Sequence, residues 1–185
     1  MTRPGAIAVR ALDLLVGGLG ALASAPLVAL AALAIRLESP GHPIYTQTRV
    51  GKDGRQFQIY KLRTMVRGAE FTGAGLAIQE GDDRITRVGA LLRRASLDEL
   101  PNLWNVVRGE MSIVGRGRLR VKPGITGWAQ VNGRASLPWH ERIELDLWYV
   151  EHRSLALDLR ILARTLRLVL RGEGLYKGET GGWRQ

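Results

Sequence analysis

Leu14–Ile35 reads LLVGGLGALASAPLVALAALAI, 22 residues without a charge. As a straight helix it would extend about 33 Å, close to the roughly 30 Å hydrocarbon core of a bilayer. A single transmembrane helix is the plain reading. Pro26 complicates it, because a proline inside a helix removes a hydrogen bond and kinks the chain. Ser24 can cover a freed backbone carbonyl, which makes such a kink tolerable in lipid. The flanking charges choose no direction. Arg3 and Arg10 precede the segment, Arg36 follows it, and the rest of the chain is basic. Both ends therefore favour the cytoplasmic side. A kinked, re-entrant helix that enters one leaflet and returns satisfies both, and stands level with a span. A signal peptide cleaved near Ala21-Leu22-Ala23 is a weaker reading, since it would leave Leu27–Ile35 as an apolar new N-terminus. The length disfavours a buried core helix.

The chain has 185 residues, enough for one modest domain beside such an anchor. Lys+Arg is 27 against Asp+Glu 17, a formal charge of +10. That excess needs anionic company: nucleic acid, phospholipid head groups or phosphorylated substrates. There is no cysteine, which excludes a disulfide framework and a thiolate metal site. His42, His140 and His152 lack metal-ligand spacing and read as structural. Of the Trp residues, Trp139, Trp148 and Trp183 lie in the last third, where an interfacial belt is plausible.

Ser39-Pro40-Gly41-His42-Pro43 is a turn-rich break after the apolar run. Gln56–Tyr60 alternates polar and apolar and predicts a strand. Val50–Arg55 reads as a hairpin turn pairing it with Ile44–Arg49. Arg67–Asp83 holds four glycines and no firm period; it reads as a helix fragment plus a mobile, lid-like loop. Arg84–Arg94 predicts a helix with Ile85, Val88, Leu91 and Leu92 on one face. A second helix is expected from Leu97 to Val107. Lys122–Val131 mixes turn signals with a short strand, and Ser136-Leu137-Pro138 opens a helix reaching His152.

From Leu155 to Arg171 the residues Arg160, Arg164, Arg167 and Arg171 form one basic stripe at helical spacing. Leucines, Ile161 and Val169 supply much of the opposite surface. A basic amphipathic helix can lie in the head-group plane. Packing on a core with solvated arginines is the alternative, favoured in an isolated soluble protein.

Asp98 and Glu99 stand together in this basic chain. Ser96, three residues before Glu99, fits a capping box with Ser96 as N-cap, and Asp98 would then complement the helix dipole. That structural reading is compatible with chemistry. A helix N-terminus helps keep a carboxylate ionised, as a nucleophile at phosphorus or a magnesium ligand must be. Arg93, Arg94, Lys61 and Arg63 can neutralise phosphate oxygens. Arg116, Arg118, Arg120 and Lys122 form a further basic cluster, or equally a solvated loop. Nucleic-acid binding is a poorer explanation, because no aromatic interleaving or recognition motif accompanies the charge.

Several ordered stretches resemble the bacterial sugar transferases, the monotopic polyprenyl-phosphate phosphoglycosyl transferases. They are Tyr45–Gly51 (YTQTRVG), Tyr60–Met65 (YKLRTM), Ser96–Val106 (SLDELPNLWNV), Gly109–Gly115 (GEMSIVG) and Lys122–Arg134 (KPGITGWAQVNGR). The resemblance covers most of residues 45 to 134, and the Asp146 to Asp158 region also fits. It implies an α+β, mostly helical fold: a re-entrant N-terminal helix (1–38), a small catalytic domain with a short β-hairpin (39–154), and a basic amphipathic interfacial helix and tail (155–185). It implies ping-pong chemistry in which Asp98 attacks the β-phosphorus of a UDP-sugar, UMP departs, and polyprenyl phosphate takes up the sugar-phosphoryl group. Glu99, with Asp98, would bind Mg²⁺. Arg49, Lys61 and Arg63 are expected at phosphate or nucleotide, and Asp146 and Asp158 are lesser candidates. The implied setting is the cytoplasmic face of a bacterial inner membrane; the oligomeric state stays open, a homodimer included. One departure stands out. Gly115 runs through Arg116-Gly117-Arg118 straight to Lys122, where the family shows Pro-Arg-Pro and a longer stretch. Strict alignment sets Gly117 where the family's arginine stands, which leaves Arg116 and Arg118 on either side as the candidates for its phosphate contact. The non-enzymatic alternative is a membrane-anchored basic adaptor binding anionic lipid or nucleic acid.

Overall fold

The apolar run lies inside one long helix, α1 (Arg3–Glu38). The computed structural model describes residues 3–72, 82–115, 121–133 and 137–171. One stripe of α1 is buried along its length, at Val9, Asp13, Ala31 and Ile35. Gly17 and Gly20 let it lie close to α3 (Asn102–Arg108). A β-carbon on Gly17 would come within 2.9 Å of Val106, and one on Gly20 within 3.3 Å of Leu103. The order of these contacts shows that α1 runs antiparallel to α3. The other face leaves Leu15, Leu19, Leu22, Leu30, Leu33 and Leu37 exposed. By length and composition the helix can cross a membrane, and a continuous exposed apolar face calls for a covering phase. The exposed apolar face suggests membrane association. Ser24 Oγ reaches the Ala21 carbonyl at 3.4 Å, one residue before the Leu22 carbonyl that Pro26 deprives of its usual donor.

The hairpin follows as the alternation predicts. β1 (Ile44–Val50) pairs antiparallel with β2 (Gln56–Leu62), Ile44 opposite Leu62 and Val50 opposite Gln56. The chain reverses through left-handed Asp53 (φ 58) and Gly54 (φ 75). A second pair, β3 (Ser112–Val114) with β4 (Gly124–Thr126), is parallel. β3 was not foreseen, because three residues are too few to show a period. The remaining helices are α2 (Arg87–Arg94), α4 (Trp128–Val131), α5 (Trp139–His152) and α6 (Leu155–Leu170). The class is α+β and mostly helical.

Four expectations change in detail. The helix predicted from Arg84 starts at Arg87, because the Thr86 hydroxyl accepts from Gly89 N–H at 2.9 Å and Ile85 bridges to Met65. Leu91 is exposed rather than packed with Val88 and Leu92. The helix predicted over Leu97–Val107 is split: Leu97–Glu99 forms a single 3₁₀ turn, and α3 begins after Pro101. Proline has no N–H to continue the ladder, and Pro101 accordingly stands at the start of α3. Trp128–Val131 winds into a helical turn, leaving only Gly124–Thr126 as strand. In Arg67–Asp83 the described part holds one 3₁₀ turn, Ala69–Phe71; the lid-like loop falls mainly on 73–81, outside the described residues.

Two apolar clusters organise the packing. Ile59, Val106, Met111, Ile113, Val114, Tyr149, Leu157 and Ile161 join α3, both sheets, α5 and α6. Ala31, Ile35, Leu62 and Leu92 join the end of α1 to β2 and α2. On α6, Leu157 and Ile161 face this core, while Arg160, Arg164, Arg167, Leu159 and Leu166 are exposed. The predicted separation of a basic stripe from an apolar face is only partly met: Leu157 and Ile161 hold the core, but Leu159, Leu166 and Val169 share the exposed surface with the arginines.

Candidate active site

The site is assembled where α2, β2 and α3 converge. Glu38, the last residue of α1, accepts from Arg87 N–H at 2.7 Å and Val88 N–H at 3.0 Å. It thereby covers two of the donors that a helix start leaves free and fixes α2 against α1. Gly89 then meets the chain after β2 so closely that a β-carbon would fall 2.0 Å from the Thr64 carbonyl oxygen. That contact brings Arg93 over Thr64, where Nε donates to Oγ1 at 2.7 Å. Arg93 Nη1 is buried with no hydrogen-bond partner.

The turn after α2 carries the carboxylates. Ser96 adopts the left-handed region (φ 55) and makes no capping hydrogen bond, so the predicted capping box does not form. A non-glycine residue in that region costs roughly 1–2 kcal/mol, and such strain concentrates at functional positions. Leu100 N–H returns to the Leu97 carbonyl at 3.2 Å, closing the turn that holds Asp98 inward. Asp98 is only 4% exposed, and its Oδ1 has no hydrogen-bond partner. Burial and the adjacent Glu99 push its carboxyl above the usual range, against the opposing pull of Lys61 and Arg93. The expectation that a helix start would hold Asp98 readily ionised is thus corrected. Asp98 precedes α3 by a full turn, and desolvation outweighs the cations around it.

Glu99 points at Lys61, whose Nζ lies 2.8 Å from Oε1. Lys61 comes from β2, and two asparagines hold β2 in place. Tyr60 N–H donates to Asn102 Oδ1 at 3.2 Å, and Asn105 Nδ2 donates to the Gln58 carbonyl at 2.6 Å and to Glu110 at 2.8 Å. These bonds satisfy the edge of β2 that β1 leaves unpaired. Asn102 and Asn105 were not singled out from sequence. Their signal is two amides on the buried face of a short apolar helix.

The other predicted residues lie elsewhere. Arg63 Nη1 donates to the Pro40 carbonyl, and Nη2 to the Ser39 carbonyl and hydroxyl, at 2.7–2.9 Å; it staples the end of α1 to the strand. Arg49 is exposed, four residues toward the hairpin tip from Tyr45, the partner of Lys61, or about 13 Å along the strand. Asp146 lies on α5. Asp158 is fully buried in the core and accepts from Tyr149 Oη at 2.6 Å; burial raises its carboxyl, and burial with Asp158 beside it raises the Tyr149 phenol. Arg116 and Arg118 lie outside the described residues, as does Trp183. Arg94 is exposed.

Two residues whose long-range contacts the sequence did not show tie α1 to the domain. Arg10 donates to the Val106 and Val107 carbonyls, both at 2.7 Å, at the end of α3. Asp13, 3% exposed, accepts from Ser112 Oγ at 2.8 Å and from Ile113 N–H at 2.8 Å. An ionisable residue just before an apolar run is the sequence signal.

An apolar groove of about 320 Å³ runs beside the carboxylate turn. Ala21, Ser24, Ala25 and Val28 of α1 form one wall. Tyr60, Leu100, Pro101 and Trp104 form the other. Leu100 and Pro101 directly follow Asp98-Glu99. A buried carboxylate and a partly buried neighbour, flanked by cations and beside an apolar groove along the long apolar helix, can handle a phosphorylated group carried on a lipid chain.

Comparison with known proteins gives the same direction. The family described as bacterial sugar transferase matches residues 5–118 and 116–172; the two matches meet at Arg116–Arg118, where the sequence departs from the family's pattern. A sugar transferase of Bacillus subtilis is 40% identical, the alignment covering 77% of each chain. A UDP-glucose:undecaprenyl-phosphate glucose-1-phosphate transferase of Caulobacter vibrioides is 42% identical over 90% of this chain and 71% of its own. A UDP-N-acetylgalactosamine-undecaprenyl-phosphate N-acetylgalactosaminephosphotransferase of Aeromonas hydrophila is 40% identical over 89% of this chain but 44% of its own.

Proposed function

The chain belongs to the bacterial sugar transferase family, and from that premise we propose that it moves a sugar-1-phosphate from a UDP-sugar to undecaprenyl phosphate or a similar polyprenyl phosphate. The observation that carries this reading is Asp98: a buried carboxylate with an unpartnered oxygen, opposed by Lys61 and Arg93. An Asp98 oxygen attacks the β-phosphorus of the UDP-sugar, a bond forms from oxygen to phosphorus, and the bond to the bridging oxygen breaks. UMP leaves with that electron pair. A phosphate oxygen of the lipid acceptor then attacks the same phosphorus and releases the Asp98 carboxylate, giving the polyprenyl-diphosphate sugar. Two displacements suit a soluble donor and a lipid acceptor that reach the site from different sides. The apolar groove from Ser24 to Trp104 gives the acceptor's hydrocarbon a place beside the turn.

The donor set fits Mg²⁺, which is commonly held by one or two carboxylates with substrate phosphates and water. Glu99, with Asp98 beside it, would hold the ion, which would supply neutralisation of phosphoryl charge. Arg93, through its unpartnered Nη1, and Lys61 supply charge-assisted donors to phosphate oxygens. We place α1 as a re-entrant helix kinked at Pro26, with both ends at the cytoplasmic face of the inner membrane. Its arginines at both ends support that. Single cysteines at residues 3 and 180 should label from one side; opposite-side labelling contradicts the re-entrant placement.

The test of the reaction is incubation of the protein with a UDP-sugar panel, polyprenyl phosphate and Mg²⁺. Formation of UMP with a lipid diphosphate sugar, abolished by Asp98→Ala, is the expected result. Release of UDP, or turnover that survives Asp98→Ala, contradicts it. The relatives named for glucose and for N-acetylgalactosamine are about equally similar, so the panel also decides the sugar.

A further inference from the structure

A second polar cavity, about 440 Å³, lies at the other end of α3 from the carboxylates and shares none of their residues. Arg10, Lys52, Lys122 and Arg153 line it, against Asp13 and Glu151. The Asp13 carboxylate is already committed to Ser112 and Ile113 N–H, so it is a poor counter-ion for the cavity. The cations converge. A β-carbon on Gly109 would lie 3.3 Å from Arg10 Nη2 and 3.5 Å from Lys122 Nζ. Gly109 is left-handed (φ 82), which keeps a side chain from separating them. Among the described residues Lys122 Nζ has no hydrogen-bond partner; Arg153 leaves only its Nε buried without one, its charge being shared with Tyr149 and Asp158. Burial, then Arg10, with Lys52 and Arg153 adding to it, depresses the Lys122 ammonium despite Asp13. Arg10 already donates to the Val106 and Val107 carbonyls, Lys52 lies 3.7 Å from Asp53 and Arg153 interacts with Tyr149 and Asp158, so Lys122 is the cation whose partly desolvated charge an incoming anion would stabilise most.

We propose that this cavity binds a phosphate-bearing anion at a site separate from the Asp98 centre. Its α1 wall runs from Ala6 to Asp13 and ends where the uncharged run starts at Leu14. A helix entering lipid there sets the cavity at head-group height, where anionic lipid phosphates are concentrated. A bound phosphate would tie the start of α1 to the hairpin tip through Lys52 and to the strand entry through Lys122. Nothing in this inference requires the transfer reaction.

The experiment uses the full chain in neutral detergent without nucleotide sugar. Thermal unfolding is titrated in one arm with pyrophosphate and in another with mixed micelles of phosphatidylglycerol, with phosphatidylcholine as control. A saturable rise in midpoint with pyrophosphate identifies a small anion, and a rise with phosphatidylglycerol alone identifies a lipid head group; either supports the site. Lys52→Gln and Lys122→Gln should each raise the half-saturating concentration about tenfold. Lys61→Gln, at the other end of α3, should leave it unchanged. Lys52 is half exposed at the hairpin tip, so its variant reads out even where Lys122→Gln misfolds. No saturable rise, a rise insensitive to Lys52→Gln, or one abolished by Lys61→Gln overturns the proposal.

Discussion

Replacing Asp98 with asparagine keeps the shape of the side chain and removes its charge. In the folded protein that carboxyl is 4% exposed, has an unpartnered oxygen and sits beside Glu99, while Lys61 is engaged with Glu99. Its folded value is raised above 3.8, so the native state holds a proton that the unfolded chain gives up earlier. Stability from this group is therefore full in acid and declines as pH rises through the window between the unfolded and the folded values. At pH 8 the whole penalty is present. A buried polar group without a partner costs about 1–3 kcal/mol, more when charged, and a chain of this length shifts about 2–4 °C per kcal/mol. Asp98→Asn should thus unfold several degrees above the parent at pH 8 without divalent cations, and the gap should shrink as the pH approaches 4. Differential scanning calorimetry in neutral detergent measures both. An equal or lower midpoint at pH 8, or a gap that does not change with pH, refutes the reasoning that the site stores electrostatic strain.

Three other outcomes follow from the same geometry. Asp13→Ala strands the Ser112 hydroxyl and Ile113 N–H in the interior, and thermal unfolding should show a loss of roughly 3 kcal/mol. Gly89→Ala forces a β-carbon onto the Thr64 carbonyl, so α2 and Arg93 must shift; expect a cost of about 1–3 kcal/mol and slower UMP release in single-turnover assays. Lys61→Met removes a cation that lowers the Asp98 value, so the acid limb of the pH profile for UMP release should move to higher pH; a limb that stays in place separates Lys61 from Asp98.

Much of this architecture was legible because it rests on local periods. The alternation in Gln56–Tyr60 with a turn before it specified the β1–β2 hairpin, and the arginine and leucine spacing specified α6. The carboxylate turn was located but misdrawn. The Ser96-to-Glu99 spacing suits a capping box, yet Pro101 and the left-handed Ser96 divert the chain, information that depends on how α2 and α3 are anchored. Asp13 and Arg10 were silent because their partners, Ile113 and Val106, lie about a hundred residues away. Arg63 looked like a phosphate ligand because its charge was visible and its carbonyl partners at Ser39 and Pro40 were not. The Asn102 and Asn105 contacts to β2 are likewise long-range, and only the fold shows which edge needs them.

The central claim is that Asp98 itself carries the sugar-phosphoryl group between two displacements. A rapid-quench experiment with the functional UDP-sugar and Mg²⁺, in the absence of any polyprenyl phosphate, tests it directly. The account predicts a burst of UMP of about one equivalent per enzyme, with a matching mass gain on the peptide containing Asp98. UMP that appears only once the lipid acceptor is added, with no mass gain on that peptide, contradicts it.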